Sequence, residues 1–382
     1  MTDAFGGALR GRRVLVTGHT GFKGSWLCVW LRELGAKVTG FGLAPPTTPS
    51  NYQVSNLSEH VVDVRGDVRD ADHLKRTIES HEPQIVIHMA AQPLVRVGYE
   101  KPKETFDTNV VGTVNLLEAV RTTRSVRVCV VVTTDKVYED RGWVWGYREN
   151  DTLGGFDPYS ASKAMAELAV QSYRRSWSQS GFADHPVSIA TVRAGNVIGG
   201  GDWAAHRLVP DCLRDLMAGR PIQVNTPDSV RPWMFLLEPL SGYLCLVARL
   251  LDEPDQAGCW NFGPSEQEAI TCRQLAEEAS AIWGGQGIVV PDRAGGGPPH
   301  QTRLLRLNWD KAANELRWRP VYTWGQAIRC TIDWFAEHGR PGSSGGPADM
   351  YGVCARQIAD YVSAAAACGI EWARGTNSRS ES

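Results

Sequence analysis

Long hydrophobic runs are missing from this chain. No stretch approaches the roughly 20 apolar residues that a membrane-spanning helix needs. Residues 1–11 lack the apolar core of a secretory signal, so a soluble, cytoplasmic protein with no membrane partner is expected. Charge of one sign is missing too. Lys and Arg number 40 against 42 Asp and Glu, a formal net of -2, so bulk electrostatics point to neither nucleic acid nor an anionic bilayer. The nine cysteines contain no Cys-x-x-Cys pair and no Cys/His cluster, so no metal site is expected. Most of them sit in apolar runs, as Cys129 does in residues 126–132, and read as small buried groups in a reducing compartment. No internal repeat is visible.

What is present is a rhythm. At 382 residues the chain exceeds one average core, and two domains are the natural expectation. Short β-branched strands are expected at 13–18, 36–43, 61–67, 84–90, 127–134 and 188–193. Helical segments fall between them at 22–35, 70–81, 104–123 and 158–178. Strand and helix alternating about every 30 residues predict an α/β, Rossmann-type doubly wound parallel sheet with helices on both faces. After Gly199-Gly200-Gly201 the rhythm is lost and Pro and Trp become frequent, which predicts a smaller, mixed C-terminal substrate-binding domain. The expected division is 10–200 for the sheet domain, joined by a returning segment near 232–262, and 201–345 for the second domain. Residues 346–382 should add a helix near 354–366, and the last dozen residues should be a disordered tail. Gly/Pro-rich stretches at 294–299 and 341–347 read as loops.

Gly18-His-Thr-Gly21-Phe-Lys-Gly24 follows the first strand and opens the first helix. Glycine permits the tight turn, and the helix N-terminus offers amides and partial positive charge to a pyrophosphate. This GxxGxxG turn, from Gly18 through Thr20, Gly21, Phe22 and Lys23 to Gly24, therefore reads as a dinucleotide cradle. The second strand ends Thr39-Gly40-Phe41-Gly42-Leu43, with neither an acid for a ribose nor an arginine for a 2′-phosphate, so that position does not separate NAD from NADP. Asp67 either meets the adenine edge or caps the next helix.

Tyr159-Ser-Ala-Ser-Lys163 places a phenol and an amine on one helical face. A free tyrosine titrates at about 10, and a nearby ammonium is expected to lower that value and make the phenol a usable base. The pair can take a hydroxyl proton while hydride leaves for a nicotinamide. Thr134, after the strand, either hydrogen-bonds the reacting hydroxyl or merely ends the strand.

Thr134-Asp135-Lys136, the Tyr159–Lys163 pair and His19-Thr-Gly-Phe-Lys-Gly-Ser-Trp26 together resemble the CDP-glucose 4,6-dehydratases. Met89-Ala-Ala-Gln-Pro-Leu-Val-Arg96, Trp143-Val-Trp-Gly-Tyr-Arg-Glu-Asn150, Arg193-Ala-Gly-Asn-Val-Ile-Gly-Gly-Gly-Asp-Trp203, Arg231-Pro-Trp233 and Leu237-Glu-Pro-Leu-Ser-Gly-Tyr243 occur in the matching order across residues 10–365. The resemblance implies an NAD-dependent lyase acting on a nucleotide sugar. Carbon 4 is oxidised, water is eliminated across carbons 5 and 6, and hydride returns to carbon 6. It assigns Asp135 as acid and Lys136 as base, so Asp135 has to be protonated and Lys136 neutral, and a salt bridge between them would be the wrong state. It extends the NAD contacts to Val68, Ala90, Ala91, Gln92, Asn109 and Thr133. It offers Arg96, Asn196, Arg207, Leu208, Arg231 and Arg303 for the substrate, and implies a homodimer or homotetramer. The chain departs from the pattern at Val137, at Met234-Phe235 and around 300–306. A 4-epimerase of the same fold and a catalytically silent NAD-binding protein are the alternatives.

Overall fold

The computed structural model describes residues 2–179, 185–265, 269–291, 305–340 and 348–374. Seven strands form one parallel sheet: β1 (Arg13–Thr17), β2 (Lys37–Gly42), β3 (Val62–Arg65), β4 (Ile85–His88), β5 (Val128–Val132), β6 (Ser188–Ala194) and β10 (Cys259–Phe262). Their order is β10-β6-β5-β4-β1-β2-β3, the doubly wound arrangement that the alternating pattern predicts. Side chains alternate between the two faces of each strand. Val14 and Val16 of β1, with Ile85, Ile87, Val128 and Val130, pack under helices α1 (Phe22–Glu33), α9 (Leu237–Asp252) and α13 (Met350–Ala367). Leu15, Val86, Cys129 and Val131 face the other way, toward α3 (Ala71–His81), α6 (Gly112–Thr122) and α7 (Pro158–Tyr173).

The remaining short helices are α2 (Asn51–Val54), α4 (Val95–Glu100) and α5 (Pro102–Phe106). The helix expected over 104–123 is interrupted by a π-helical turn at Asp107–Val111, and the one expected to reach 178 widens into another at Arg174–Ser178. Beyond β6 the chain builds a mixed region. β7 (Asn196–Ile198) runs parallel to β9 (Val230–Phe235), and β11 (Ala269–Thr271) runs antiparallel to β9. A second pair joins β8 (Ile222–Gln223) and β12 (Ile288–Val289). Helices α8 (Leu208–Met217), α10 (Cys272–Trp283), α11 (Asp310–Glu315) and α12 (Trp324–His338) complete it.

The C-terminal end departs from the expected tail. Glu371–Ala373 forms a short 3-10 turn, and Trp372 is buried, stacked on Phe5 at 4.8 Å. Apolar burial of an indole outweighs the polar composition that follows it. Residues 375–382, and the two loop expectations at 294–299 and 341–347, lie outside the described residues.

One buried carboxylate ties the late elements to the sheet domain. Glu238, in the first turn of α9, accepts from the Val321 and Tyr322 amides and from the Tyr361 hydroxyl of α13, the last at 2.7 Å. Burial pushes its carboxyl up to about 7, against these hydrogen bonds. Tyr361→Phe removes one donor from a group with no access to water. A loss of about 1–3 kcal/mol is expected, read as a lower urea midpoint at unchanged slope. An unchanged midpoint would show that the hydroxyl is not needed to hold α13.

Candidate active site

The cradle begins where β1 ends. Gly18 has φ +74°, and a Cβ there would stand 2.7 Å from the Ala90 amide nitrogen, so β1 and the loop after β4 close on each other only with glycine. A Cβ on Gly24 would meet the Gly18 carbonyl at 2.2 Å. Thr17 fixes the other side: its hydroxyl accepts from the Met89 and Ala90 amides and is hydrogen-bonded to His88. Gly21 is the N-cap of α1, so no side chain caps the helix and its first amides are left for an anion. Thr20 donates to the Leu43 carbonyl at 3.0 Å, and Phe22 packs on the core.

Several expected cofactor contacts are committed elsewhere. Asp67 is not the helix cap; that is Asp70. Arg69 grips the Asp67 carboxylate at 2.6 Å and holds it below the usual range. Val68 is buried against α6. The Asn109 amide bonds the Gln92 backbone and donates to Ser162 of α7 at 2.9 Å, so it ties the loop of Ala90 and Ala91 to the Tyr159 helix, while the Gln92 side chain donates to Thr105 and accepts from the Leu94 amide. Thr133 turns into the core. Its hydroxyl donates to Glu167 at 2.5 Å, which leaves only its backbone to face a cofactor.

The reacting groups converge at the carboxyl ends of β4 and β5. Asp157 caps α7, accepting from the Ser160 amide at 3.1 Å, and the helix then carries Tyr159 and Lys163 inward. Lys163 donates to the Val132 carbonyl at 3.0 Å. Thr134 stands close enough to the Tyr159 phenol to favour its ionised form, and donates to Asp135 Oδ1 at 2.9 Å. No ion pair joins Asp135 to half-exposed Lys136; among the described residues the Asp135 carboxyl is engaged by Thr134. Burial raises the Asp135 pKa, opposed by Lys136, Thr134 and Arg231. The expected lowering of Tyr159 is overturned. Burial pushes its phenol up to about 12, because desolvation outweighs every nearby cation and the Lys163 ammonium is directed at a carbonyl. Lys163 falls to about 8 through burial and then the Lys23 ammonium, with Glu167 opposing. Lys23 falls to about 8 through burial and then Arg207, with Asp135 opposing, so this residue of the glycine turn lies beside the acid as well as the cradle.

Of the cations offered for substrate, two approach this cluster. Arg207, next to Leu208 at the start of α8, is held by Asp202 at 3.0 Å, and its charge reaches Tyr159. Arg231 on β9 reaches Asp135, and Asn196 on β7 pairs in register with Trp233. Arg96 does not join them: it is exposed and bonded to Glu100 at 3.1 Å, one helical turn away. Arg303 lies outside the described residues. A cleft of about 250 Å³ opens beside Pro232, lined also by Arg306, Asn308 and Trp309. Asp202 and Arg306 were not legible as site residues, since neither stands in a spacing that implies a partner.

A sequence model of the NAD dependent epimerase/dehydratase family matches residues 14–258. The chain belongs to that family. It is 43% identical to the CDP-glucose 4,6-dehydratase of Salmonella typhimurium, over 93% of this chain and 97% of that one. It is 28% identical to the dTDP-glucose 4,6-dehydratase of Xanthomonas campestris pv. campestris, over 84% and 92%. Among solved structures, dTDP-glucose 4,6-dehydratase from Streptomyces venezuelae with NAD bound superposes with a TM-score of 0.70 at 25% identity, covering 85% of this chain and 97% of that one. A UDP-glucose 4-epimerase from Thermotoga maritima shares the fold, with a TM-score of 0.70 at 22% identity, covering 85% and 98%.

The lysine shifts carry a stability consequence. Between about 8 and the ordinary value of 10.5, the unfolded chain holds a proton on Lys163 that the folded chain has released. Stability therefore rises with pH on account of this group. Relative to Lys163→Met, the native protein should gain up to about 1.4 kcal/mol per pH unit through that window. Urea midpoints of both proteins across the window check the sign, and parallel profiles would contradict it.

Proposed function

We propose that this chain is an NAD-dependent 4,6-dehydratase of a nucleotide hexose, with CDP-glucose as substrate and CDP-4-keto-6-deoxyglucose as product. The observation that carries the reading is one cluster, the Tyr159 phenol beside Thr134 and Asp135, in which Thr134 donates to Asp135, with Lys163 behind it and Lys136 next along the chain. The cradle fits a dinucleotide: an uncapped helix N-terminus, a turn closed against Ala90 and a half-buried ammonium at Lys23 suit a diphosphate. Bound NAD supplies the hydride acceptor for carbon 4 and the donor for carbon 6.

The chain's own groups handle the protons. Thr134 orients the 4-hydroxyl, and Tyr159, once ionised to the phenolate, takes its proton as carbon 4 becomes a ketone. That ketone acidifies carbon 5, whose proton goes to Lys136. Asp135, kept protonated by burial, gives its proton to the departing 6-hydroxyl, and water leaves. Arg231 and Arg207 hold the diphosphate. As carbon 6 is reduced, Lys136 returns its proton to carbon 5, and no net oxidation results. The same reading includes self-association of the chain through Val111, Met165 and Leu168, exposed on neighbouring elements, and residence in the cytoplasm; no described helix is long and apolar enough to cross a membrane.

Purified protein with NAD is offered CDP-, dTDP-, GDP- and UDP-glucose, and products are weighed by mass spectrometry. Loss of one water from CDP-glucose is expected. Lys136→Met should cut turnover by about a hundredfold or more while leaving NAD binding intact. Conversion of a nucleotide sugar to its 4-epimer with unchanged mass would replace this reading with an epimerase.

A further inference from the structure

The segments that carry the five reacting side chains are joined to a pair of charges that the chemistry does not use. Glu167 stands one turn beyond Lys163 on α7, and Arg193 lies on β6; both are almost wholly buried. Arg193 binds Glu167 through two parallel contacts, Nε to Oε1 at 2.8 Å and Nη2 to Oε2 at 2.9 Å. Further hydrogen bonds of the pair go to the elements around the site. Thr133 donates to Glu167 Oε1 at 2.5 Å, and Thr191 donates to Oε2 at 2.6 Å. Arg193 Nη1 donates to the Tyr138 hydroxyl at 2.6 Å and to the Glu149 carbonyl at 3.1 Å. Tyr138 passes the chain on to Asn261 of β10 at 2.8 Å.

The sequence positions of these partners are what matter. Thr133 immediately precedes Thr134-Asp135-Lys136, and Tyr138 follows two residues after it. The short 3-10 turn at Asp135–Val137 is therefore held at both ends, upstream through Glu167 and downstream through Arg193. The same helix that carries Glu167 carries Tyr159 and Lys163. A fully satisfied buried ion pair contributes little net stability compared with apolar packing, so what distinguishes it is geometry.

We propose that the Glu167–Arg193 pair positions the Asp135–Lys136 turn against the Tyr159–Lys163 face, so that elimination at carbons 5 and 6 is registered with oxidation at carbon 4. This rests on the dehydratase reading. Neither residue touches the reacting atoms; both act through Thr133 and Tyr138. Loosening the clamp should leave carbon 4 oxidation faster than elimination, so the bound nicotinamide stalls in its reduced form.

Two conservative variants test it. Glu167→Gln weakens the upstream anchor, and Tyr138→Phe removes only the downstream one while keeping the ring. With CDP-glucose, each should lower kcat by about tenfold to a hundredfold, since small misplacement of reacting groups costs that much. KM should stay within about twofold, because substrate binding is not what is lost. Reduced nicotinamide should build up during turnover by its near-ultraviolet absorbance. Without any substrate, amide hydrogen exchange in the peptide spanning 133–138 should quicken while α7 keeps its protection. A kcat that is unchanged or falls only with the folded fraction, or exchange that does not change at 133–138, would overturn the positioning role. Native protein that never removes water would overturn the dehydratase reading instead, and the exchange comparison would then decide the clamp alone.

Discussion

Desolvation of ionisable groups at the carboxyl ends of the parallel strands is the constraint on which the site depends. Lys23, Lys163, Asp135 and Tyr159 share one small volume, and burial is the largest influence on each. It acts in opposite senses on acids and bases, but always toward the uncharged form. The amines drop to about 8 while the carboxyl and phenol rise. A site so biased holds its protons loosely on the amines and tightly on the acids. That suits a step in which a carboxyl must donate its proton, whereas the phenol has to ionise against this bias before it can accept one. It also separates Asp135 from Lys136. Were both fully charged and in contact, Coulomb attraction would lock them together, whereas Thr134 takes the carboxyl instead.

The scaffold places this desolvated volume by simple means. A parallel sheet opens at the carboxyl ends of its strands, where the first strand passes into a helix. Here the opening is narrowed because β1 and the loop after β4 touch at Gly18 and Ala90. Two further ties set the wall of the opening. The Asn109 bonds carry the loop to α7, and the Glu167–Arg193 pair carries α7 to β5 and β6. The mixed region adds its cations from outside, Arg207 steadied by Asp202 and Arg231 on a strand paired with β7 and β11.

How much of this could be read from the residues follows the range of the interactions. The parallel sheet, its strands and the placement of Tyr159 and Lys163 on one face rest on periodicity and four-residue spacing, which are local. The turn at Gly18 is local too. Arg96 shows where locality misleads: an arginine in a matching motif is drawn to Glu100 one turn away. Asp67 is likewise captured by Arg69. Thr133 and Thr134 are adjacent, yet strand alternation sends the first into the core and the second toward the phenol. No spacing reveals that Glu238 will meet Tyr361, or Arg193 the hydroxyl of Tyr138, because those partners are brought together only by the finished fold. The Tyr159 phenol was misjudged for the same reason. Its neighbours were legible, but the degree of its burial was not.

That Streptomyces dehydratase and Thermotoga epimerase structures superpose equally well on this chain has a physical reading. On the proposed mechanism, oxidation at carbon 4 needs the cradle after β1 and the Tyr159–Lys163 pair on α7, all within the residues 14–258 that match the family. Loss of water needs two further groups within reach of carbons 5 and 6. On the proposed mechanism, one turn of chain after β5 supplies both, Asp135 buried and Lys136 half-exposed. On that proposal, the turn has to be stiff, since its carboxyl and amine must meet atoms on both sides of a bond about to break. The bracket from Thr133 to Tyr138 supplies that stiffness from beneath, without placing any additional charge in the opening where it would disturb the balance that burial has set.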